Sequence, residues 1–466
     1  MNPQIAFLLD KALESLRNSN SESAELYLKQ AIKIQASNPH VLRLLGVIYA
    51  QRKQYPQALK YINDSLKSLP KNSIALSNLG NIFLELKEYQ NALNAYDKSI
   101  RIDPKYEEVW SNKANALLEL KRYDEAITCY DKALSLKPDY AEAWSNKGNL
   151  LNELKRYDEA LIHFDKALSL KPDYAAGWSN KGKTLHALKR YDEAIAHFDK
   201  ALSLQPYEAS YFYHKSLTNI ALNQYAIAIE NLEDAITYKY SREGHAEYIL
   251  SALKPENGLK PMPINFVTEL FDGYAGSFDR HLMDTLKYET PKNLLELLNL
   301  SINDKLEILD IGCGTGLMGR ILKPYASTIV GVDLSKEMLS RAELTGTYDK
   351  LIADDILEFL NKCNDKFDLV VSADVFIYIG ELSGIFKDLA RVLKAGGVFC
   401  FSVEKNESSP FALSPKTLRF SHSKEYIRGL ATIHNFNIQN ILERPIRQED
   451  HVDIEGYCFL LKKAYE

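Results

Sequence analysis

The stretch Leu306–Gly319, LEILDIGCGTGLMG, joins a short apolar run to four closely spaced glycines. Runs such as LEILDI are typical of buried β-strands. A second apolar run, STIVGVDLS, contains Asp333, which lies 23 residues after Asp310. A strand, a glycine turn, a helix, a second strand and an acidic residue, in this order, predict the nucleotide-binding half of a doubly wound α/β sheet.

Two kinds of cofactor fit this glycine turn. Glycine lets the backbone approach a ligand closely, and a carboxylate at the end of the second strand can accept hydrogen bonds from both hydroxyls of a ribose. Gly314, Gly316 and Gly319 spell the GxGxxG pattern of dinucleotide-binding proteins, which by itself would favour NAD. The longer pattern DIGCGTG, which begins at Asp310, instead resembles motif I of the class I S-adenosylmethionine-dependent methyltransferases.

Two later segments extend that resemblance. The segment Phe367–Phe376, FDLVVSADVF, is similar to the fourth strand of the family and the turn after it. The segment Arg391–Glu404, RVLKAGGVFCFSVE, is similar to the helix, glycine turn and fifth strand. Because all three segments occur in the order and spacing of the family, a methyltransferase is favoured over a dehydrogenase. The resemblance covers about residues 266–463 and implies a seven-stranded sheet whose last strand, GYCFLLKKA, runs antiparallel to the others.

The resemblance implies that the cofactor is S-adenosylmethionine, with S-adenosylhomocysteine as its product. The glycines would pass under the methionine portion, Asp310 would hold its amino group directly or through water, and Asp333 would hold the ribose. Either Asp354 or Asp355 would meet the adenine amino group, although the second could instead cap a helix. Met338 could pack on the adenine or lie in a helix core. The predicted cofactor-binding residues are Tyr274, Asp310, Gly312, Gly314, Gly316, Asp333, Leu334, Met338, Asp354, Asp355, Ile356 and Ala373.

Three further segments resemble predicted methyltransferases that carry tetratricopeptide repeats at their N-terminus. They are FDGYAGSFDRHL (Phe271–Leu282), RFSHS (Arg419–Ser423) and RQE (Arg447–Glu449). The first, called the lid segment below, would cover the cofactor. Its Tyr274 would either reach the cofactor carboxylate or pack against neighbours, and Gly273 and Gly276 would permit hinge motion.

Methyl transfer from a sulfonium needs mainly alignment of the acceptor and exclusion of water. A general base is needed only if the acceptor arrives protonated. The candidate catalytic residues are Asp374, Tyr378 and His422. Each also has a structural interpretation, because Asp374 could shape the cofactor turn, Tyr378 could form a pocket wall and a lone histidine is often structural.

The N-terminal half of the chain repeats with a period of 34 residues. Trp110, Trp144 and Trp178 follow this period, as do the tyrosines of the KRYDEA-like turns and the prolines that end the units. Six units are clear, and a weaker first unit covers about residues 4–37. Two apolar helical patterns in each unit resemble the tetratricopeptide repeat and imply a superhelix with a concave groove.

These patterns predict a multidomain protein. An all-α superhelix of about seven helix pairs would cover residues 1–255, and an α/β Rossmann-like methyltransferase domain would cover residues 260–466. The segment between them, SALKPENGLKPMP, has three prolines and a glycine, which are typical of a linker.

Asparagines recur along the first helix of the units, at two positions one turn apart. A side-chain amide can both donate to and accept from the backbone of an extended peptide, so this ladder predicts a peptide-binding groove. It resembles the asparagine ladder in the repeat half of the O-linked N-acetylglucosamine transferases, although asparagine could also simply be tolerated at these positions. The predicted peptide-binding residues are Asn78, Asn112, Asn146, Asn180, Asn81, Asn115 and Asn149.

The composition argues against several other classes of protein. A net charge of -5 and a pI of about 6.1 give no basic field, so no nucleic acid partner is expected. No apolar run approaches the roughly 18 residues of a membrane span, so no membrane association is expected. The five cysteines are scattered without metal-ligand spacing, which predicts no metal site and fits a reducing cytoplasm.

Together these patterns favour an S-adenosylmethionine-dependent methyltransferase that acts on a protein or peptide side chain recruited in the groove. The alternative is a small-molecule methyltransferase whose repeats mediate assembly with another protein. A third hypothesis, a scaffold without turnover, is disfavoured by the intact glycine turn and Asp333. The acceptor atom and the oligomeric state stay open at this point.

Overall fold

The computed structural model describes residues 2–242, 244–276, 278–449 and 451–465, and for Asp284 the backbone alone. The chain divides into two compact units, Met1–Tyr207 and Glu208–Glu466. Among the described residues, no helix combines the length and the apolar character that crossing a membrane requires. The same residues contain no group of three or more His, Cys, Asp and Glu side chains suited to a metal ion.

The first unit consists of antiparallel helix pairs. Its helices are α1 (Pro3–Arg17), α2 (Ser21–Ile34), α3 (Pro39–Gln51), α4 (Tyr55–Ser68), α5 (Ser73–Glu85), α6 (Tyr89–Ile102), α7 (Glu107–Glu119), α8 (Tyr123–Leu136), α9 (Ala141–Glu153), α10 (Tyr157–Leu170), α11 (Ala175–Ala187) and α12 (Tyr191–Leu204). In three of these pairs the helices approach closely because glycine on the first helix faces an aromatic ring on the second. A Cβ on Gly148, for example, would lie 2.8 Å from the ring of Phe164.

Each pair closes through a turn that is the same in successive units. Lys121 and Lys155, which follow the first helix of their units, have φ near +57° and +58°, the left-handed conformation that ends a helix. The indole of Trp144 donates a hydrogen bond to the carbonyl of Pro138 at 2.9 Å, and Trp178 does the same to Pro172. This bond explains why tryptophan and proline share one period. Leu151 and Phe164 are fully buried in this pair.

The second unit begins with a seventh helix pair, so the predicted number of about seven pairs is confirmed. Its helices are α13 (Ala209–Ala221), α14 (Tyr225–Thr237), α15 (His245–Leu253), α16 (Ile264–Tyr274), α17 (Phe278–Arg280), α18 (Thr290–Leu298), α19 (Leu317–Leu322), α20 (Lys336–Leu344), α21 (Ile356–Lys362), α22 (Ser383–Val392) and α23 (Lys424–Ile433). A π-helical turn covers His281–Thr285, and short 3₁₀ turns cover Pro255–Asn257, Lys323–Tyr325 and Phe376–Tyr378.

A sheet forms the centre of the second unit. Its strands are β1 (Leu306–Ile311), β2 (Ala326–Asp333), β3 (Lys350–Ala353), β4 (Phe367–Ser372), β5 (Leu393–Asn406), β6 (Phe411–Leu413), β7 (Phe420–Ser423), β8 (Phe436–Glu449) and β9 (Val452–Lys463). Strands β3, β2, β1, β4 and β5 lie side by side and parallel, and β9 follows β5 in the antiparallel direction and pairs with β8. The predicted seven strands and the antiparallel last strand are confirmed in this part of the sheet.

The prediction of seven strands omits one feature, the hairpin of β6 and β7. Strand β7 pairs with the last residues of β5, at Lys405 and Asn406, so the described sheet has nine strands. The two added strands have three and four residues. Segments this short carry too few residues for a periodic pattern, which is why the sequence does not reveal them.

The last helix pair belongs to the same hydrophobic cluster as this hairpin. Tyr248 of α15 and Phe420 of β7 are fully buried in it, together with residues of α13, α14 and the segment before α16. The Tyr248 hydroxyl donates a hydrogen bond to the carbonyl of Leu418 at 2.9 Å. This packing places the last helix pair in the second compact unit, so the two units divide after Tyr207. The domain boundary near Lys260, which the sequence indicates, stays a prediction.

Candidate functional site

The glycine turn lies at the carboxyl end of β1, as predicted, and requires glycine for conformational reasons. Gly312, Gly314 and Gly316 have φ of +69°, +54° and +88°, a region that costs other residues about 1–2 kcal/mol. The backbone N–H of Gly312 donates to the carbonyl of Val332 at 2.8 Å, which ties the turn to β2. A Cβ on Gly312 would lie only 2.2 Å from Val375, whereas one on Gly314 would meet nothing nearer than Phe278 at 3.9 Å.

Asp333 ends β2 beside this turn. Its carboxylate accepts the backbone N–H of Gly314 at 2.8 Å and that of Ser335 at 2.9 Å. Burial raises the pKa of Asp333, and these backbone donors oppose the rise. The arrangement holds an anionic group at the mouth of the turn, where the resemblance implies a ribose.

Asp310 ends β1 and is 1% exposed. Its carboxylate accepts a hydrogen bond from the Tyr348 hydroxyl at 2.6 Å, a partner for which the sequence contains no signal. Burial raises the pKa of Asp310 to about 7, and the Tyr348 bond lowers it in part. The group therefore changes charge near neutral pH, beside the turn where it would meet the cofactor amino group.

We expect Asp310→Asn to stabilise the cofactor-free protein in a pH-dependent way. The folded-state pKa lies above the ordinary value of 3.8, so the wild-type protein loses stability as pH rises from about 4 through about 7. The asparagine amide does not ionise, so the variant does not lose stability in this way as pH rises. Urea unfolding should therefore show a gain of a few kcal/mol at pH 8 and a smaller gain at pH 5.

The matched variant is Tyr348→Phe, which removes the hydrogen bond to the ionised carboxylate. It should lower stability more at pH 8 than at pH 5, opposite in sign to Asp310→Asn. Equal effects of Asp310→Asn at both pH values would contradict the assigned burial of this charge. The affinity for S-adenosylmethionine should fall about 10- to 100-fold in Asp310→Asn because a charged hydrogen bond is lost.

The structure distinguishes between Asp354 and Asp355, the two candidates for contact with the adenine amino group. Asp355 caps α21, because its carboxylate accepts the backbone N–H groups of Leu357 at 2.9 Å and Glu358 at 3.2 Å. This confirms the capping interpretation and leaves Asp354 as the candidate at the adenine. Met338 is 1% exposed, inside α20, which agrees with the core interpretation. Of the remaining predicted neighbours, Leu334 and Ala373 are half-buried directly after β2 and β4, and Ile356 is half-buried at the start of α21.

The lid segment contacts the glycine turn through two acidic side chains that the sequence analysis did not single out. The carboxylate of Asp272 accepts the Ser335 hydroxyl at 2.5 Å. The carboxylate of Asp279 accepts hydrogen bonds from the Thr315 hydroxyl and from Arg320, the latter at 3.0 Å. The lid segment is thus hydrogen-bonded both to the turn that follows β1 and to the turn that follows β2.

Tyr274 packs within the lid segment. Its ring lies edge-on to Phe278 and to His281, each at 5.3 Å between ring centroids. This is the packing interpretation, and a contact of Tyr274 with a cofactor carboxylate stays a prediction. Gly273 and Gly276 have nothing nearer than 3.7 Å around an added Cβ. Ser277 of the same segment lies outside the described residues.

Asp374 is held by a network of buried groups after β4. Its φ is +56°, and its carboxylate accepts hydrogen bonds from Thr290 at 3.2 Å and Ser402 at 3.0 Å. The other carboxylate oxygen pairs with Arg447 at 3.1 Å. Since both oxygens are occupied, the structure favours a positioning role, and the catalytic role of Asp374 stays a prediction.

Arg447 is the centre of this network. It is 3% exposed and also pairs with Glu404 at 2.6 Å and Glu449 at 2.9 Å; Glu449 pairs in turn with Arg419. The RFSHS and RQE segments, which the sequence marks by resemblance alone, are therefore joined by an ion pair. A cleft of about 420 Å³ begins at Glu404, between the ends of β5 and the start of β9.

We expect Arg447→Met to destabilise the protein by about 3–5 kcal/mol, because it leaves Asp374 and Glu404 without their counter-charge, whereas Glu449 keeps Arg419. The control is Arg444→Met. Arg444 pairs with Glu296 at 2.7 Å on the surface, where both side chains are about half exposed, so its loss should cost less than about 1 kcal/mol. Chemical denaturation of both variants measures the difference, and equal costs would contradict the role of Arg447.

The other two catalytic candidates are Tyr378, in the 3₁₀ turn after β4, and His422, in β7. Tyr378 is half-buried, and burial raises its pKa. His422 is fully buried on β7, where one ring nitrogen bonds to the carbonyl of Gly380 at 2.9 Å. Burial lowers the pKa of His422 to about 4, so the ring is neutral at physiological pH. The position of His422 agrees with the structural interpretation, and catalytic roles for both residues stay predictions.

The ladder asparagines fall into two groups in the first unit. Asn81 accepts hydrogen bonds from Tyr96 at 2.8 Å and from Asn112 at 3.1 Å, and Asn115 accepts one from Tyr130. The amide nitrogen of Asn78 is buried without a partner. Within the described part of the chain, the side chains of Asn146, Asn149 and Asn180 have no hydrogen-bond partner and are half-buried.

Comparison with known proteins finds tetratricopeptide repeats in the N-terminal part of the chain and a methyltransferase domain in the C-terminal part. A family model described as a methyltransferase domain matches residues 309–401. Two models described as tetratricopeptide repeats match residues 9–73 and 111–175, and residues 73–106 and 175–208. A solved tetratricopeptide repeat protein from Parabacteroides merdae aligns with 54% of this chain and 99% of its own, with 21% identity and a TM-score of 0.44.

Curated relatives match the second half. The malonyl-[acyl-carrier protein] O-methyltransferase of Acetivibrio thermocellus is 33% identical over 113 residues, which cover 23% of this chain and 39% of the relative. The ubiquinone biosynthesis O-methyltransferase of Proteus mirabilis is 23% identical over 165 residues, covering 34% and 56%. The chain therefore spans between about two fifths and somewhat over half of the length of these relatives.

Proposed function

We propose that this chain, which contains a methyltransferase domain and tetratricopeptide repeats, methylates a side chain of a protein or peptide held by its repeats. The methyl donor of this family is S-adenosylmethionine. The proposal has three parts, which are the donor site, the acceptor site and the recruitment of the substrate.

The donor site fits the residues of the glycine turn. Space lies above Gly314, where an added Cβ would meet only Phe278 at 3.9 Å. Asp333 is bonded to Gly314 itself and Asp310 ends the strand before the turn, so the two provide the carboxylates that a ribose and an ammonium require. When bound, S-adenosylmethionine supplies a methyl group on a sulfonium. The role of this chain is to hold the ammonium through Asp310, to hold the ribose through Asp333 and to exclude water with the lid segment.

The acceptor site is proposed at the carboxyl ends of β4 and β5. Arg447 fixes Asp374 and Glu404 in position, and Glu404 also lines the adjoining cleft. Tyr378, one turn after Asp374, is the candidate for contact with the acceptor. A general base is required only for an acceptor that arrives with its proton.

One observation carries the proposal of a protein substrate. The last repeat helices and the hairpin β6–β7 share a single hydrophobic cluster, which also includes Tyr378. The last repeat helices therefore pack directly against residues of the proposed acceptor site. Tethering a substrate by repeats also raises the local concentration of its side chain, so the acceptor site can bind that side chain weakly.

The second candidate is a small-molecule methyltransferase whose repeats mediate assembly. The names of the curated relatives favour it, since they refer to malonyl-[acyl-carrier protein], a ubiquinone precursor pathway and, in Clavispora lusitaniae, a sterol. The first of these acceptors is itself carried on a protein. A protein-borne acceptor is therefore compatible with this branch of relatives.

The test is a transfer assay with the full chain, radiolabelled S-adenosylmethionine and a lysate of its own cell. We expect label in a protein band, and no label with Asp333→Ala, which lacks the proposed ribose contact. Label confined to the small-molecule fraction would overturn the protein-substrate proposal in favour of the second candidate. Label in neither fraction, with no heat of S-adenosylmethionine binding by calorimetry, would overturn methyl transfer itself.

A further inference from the structure

The groove of the first unit differs along its length in the state of its asparagine side chains. The first helices α5, α7 and α9 carry the same polar face, an asparagine pair followed one turn later by a glutamate. Residues three and four apart share one face of a helix. The face of α9 consists of Asn146, Asn149 and Glu153, and that of α7 consists of Asn112, Asn115 and Glu119.

A single hydroxyl distinguishes these two faces. In α7, Asn115 is bonded to the hydroxyl of Tyr130, and in α5, Asn81 is bonded to the hydroxyl of Tyr96. The corresponding residue facing Asn149 is Phe164, which is fully buried and has no hydroxyl. The amide of Asn149 consequently has no hydrogen-bond partner in the described chain. Phenylalanine at this one position therefore leaves an amide available for a ligand.

The available amides are neighbours in the repeat. Asn146 and Asn149 lie on α9, and Asn180 occupies on α11 the position that Asn146 occupies on α9. All three are half-buried and lack partners among the described residues. These half-buried amides reach solvent, and a peptide backbone, which offers both a donor and an acceptor, can replace the water that they bind.

The charge beside these amides indicates which peptide fits. Glu153 has no hydrogen-bond or ion-pair partner among the described residues. Burial raises the pKa of Glu153, the neighbouring Glu119 carboxylate raises it further, and Lys121 opposes the rise. By contrast, two cations on the same helices are already paired, Lys147 with Asp131 at 2.6 Å and Lys181 with Asp165 at 2.7 Å. The carboxylate of Glu153 is therefore the unpaired group beside these amides.

We propose that α9 and α11 bind the backbone of an extended peptide through Asn146, Asn149 and Asn180, and that Glu153 binds a lysine or arginine side chain of that peptide. Phe164 is the specificity-determining residue, because a tyrosine there would occupy Asn149. This proposal rests on the proposed function, in which the repeats hold a peptide. It adds that α9 and α11 are the binding segment and that the peptide is basic. Asn81, Asn112 and Asn115, on α5 and α7, are instead bonded within the fold.

The test uses the full chain and two fluorescent pools of random decapeptides, acetylated and amidated at their ends. One pool has arginine fixed at the centre and the other has glutamate. The wild-type chain should bind the arginine pool about tenfold more tightly than the glutamate pool. Phe164→Tyr should weaken binding of the arginine pool about tenfold, and Glu153→Gln should remove the discrimination between the pools.

Tyr130→Phe is the matched variant, because it removes from α8 the hydroxyl that Phe164→Tyr adds to α10. It should leave binding unchanged or strengthen it. If Phe164→Tyr alters the thermal melt, Asn149→Ala replaces it, with the same expected loss. Wild-type affinity in both Phe164→Tyr and Asn149→Ala, equal affinity for the two pools, or no binding of either pool by the wild-type chain would overturn the proposal.

The assay separates this proposal from the proposed function. Protein labelling in the lysate together with unaltered peptide binding in Phe164→Tyr would leave protein methylation standing and overturn the assigned segment. The expected binding pattern without any protein labelling would support the peptide segment and overturn protein methylation.

Discussion

A protein consisting of residues 208–466 should fold and unfold in one cooperative transition, whereas a protein consisting of residues 256–466 should not. The difference between them is α13, α14 and α15, which share a hydrophobic cluster with the hairpin β6–β7. Without these helices, side chains such as Phe420, Leu413 and Met262, now 1%, 6% and 9% exposed, would face water.

The expected cost is large compared with the stability of a typical domain. Full burial of one such side chain stabilises a protein by about 1.5–3 kcal/mol, so three of them account for roughly 5–9 kcal/mol. Typical domains are stable by only about 5–15 kcal/mol. The shorter protein should therefore aggregate or show a broad, non-cooperative transition. Urea denaturation followed by fluorescence and near-ultraviolet circular dichroism measures the difference.

A point variant of the longer protein is the control. Tyr248→Phe in residues 208–466 removes only the hydrogen bond to the carbonyl of Leu418 and should cost about 1 kcal/mol. If residues 256–466 unfold at the same urea concentration as residues 208–466, the last helix pair is not part of the catalytic unit. Any deletion that asks whether the repeats are needed for activity should accordingly end at residue 207 rather than at residue 255.

Features that depend on local or periodic patterns could be predicted from the sequence. The 34-residue period predicts the helix pairs, and the three segments of family resemblance predict the order of the central strands. Two adjacent aspartates after β3, Asp354 and Asp355, are the only candidates for contact with the adenine amino group. Helix geometry then assigns Asp355 to the N-cap of α21. In these cases the decisive interactions join residues close in the chain, so a single sequence contains the signal.

Features that depend on distant side chains could not be predicted. Arg447 joins Asp374 and Glu404, which lie 73 and 43 residues earlier, and neither spacing belongs to a period. Tyr348 reaches Asp310 across two strands, 38 residues away. The availability of Asn149 depends on one hydroxyl absent from Phe164. A sequence pattern that treats tyrosine and phenylalanine as equivalent aromatic residues cannot reveal that difference.

The substitution Gly312→Ala should abolish binding of S-adenosylmethionine and destabilise the protein. The backbone at Gly312 has φ of +69°, which costs alanine about 1–2 kcal/mol. In addition, the new methyl group would lie 2.2 Å from Val375, and overpacking of this kind costs about 1–3 kcal/mol. Because the turn must shift to relieve the overlap, we expect at least about a 100-fold loss of affinity by calorimetry, since two or more backbone and carboxylate contacts move together.

Gly346→Ala provides the matched control, because Gly346 has a similar φ of +62° and an added Cβ there would meet nothing within 4 Å. It should lower stability by about 1–2 kcal/mol through the backbone conformation alone and leave cofactor affinity unchanged. The double variant Gly312→Ala with Val375→Ala should recover part of the affinity, since it removes the overlap and keeps the unfavourable φ. If Gly312→Ala binds the cofactor as tightly as Gly346→Ala does, the turn after β1 is not the donor site.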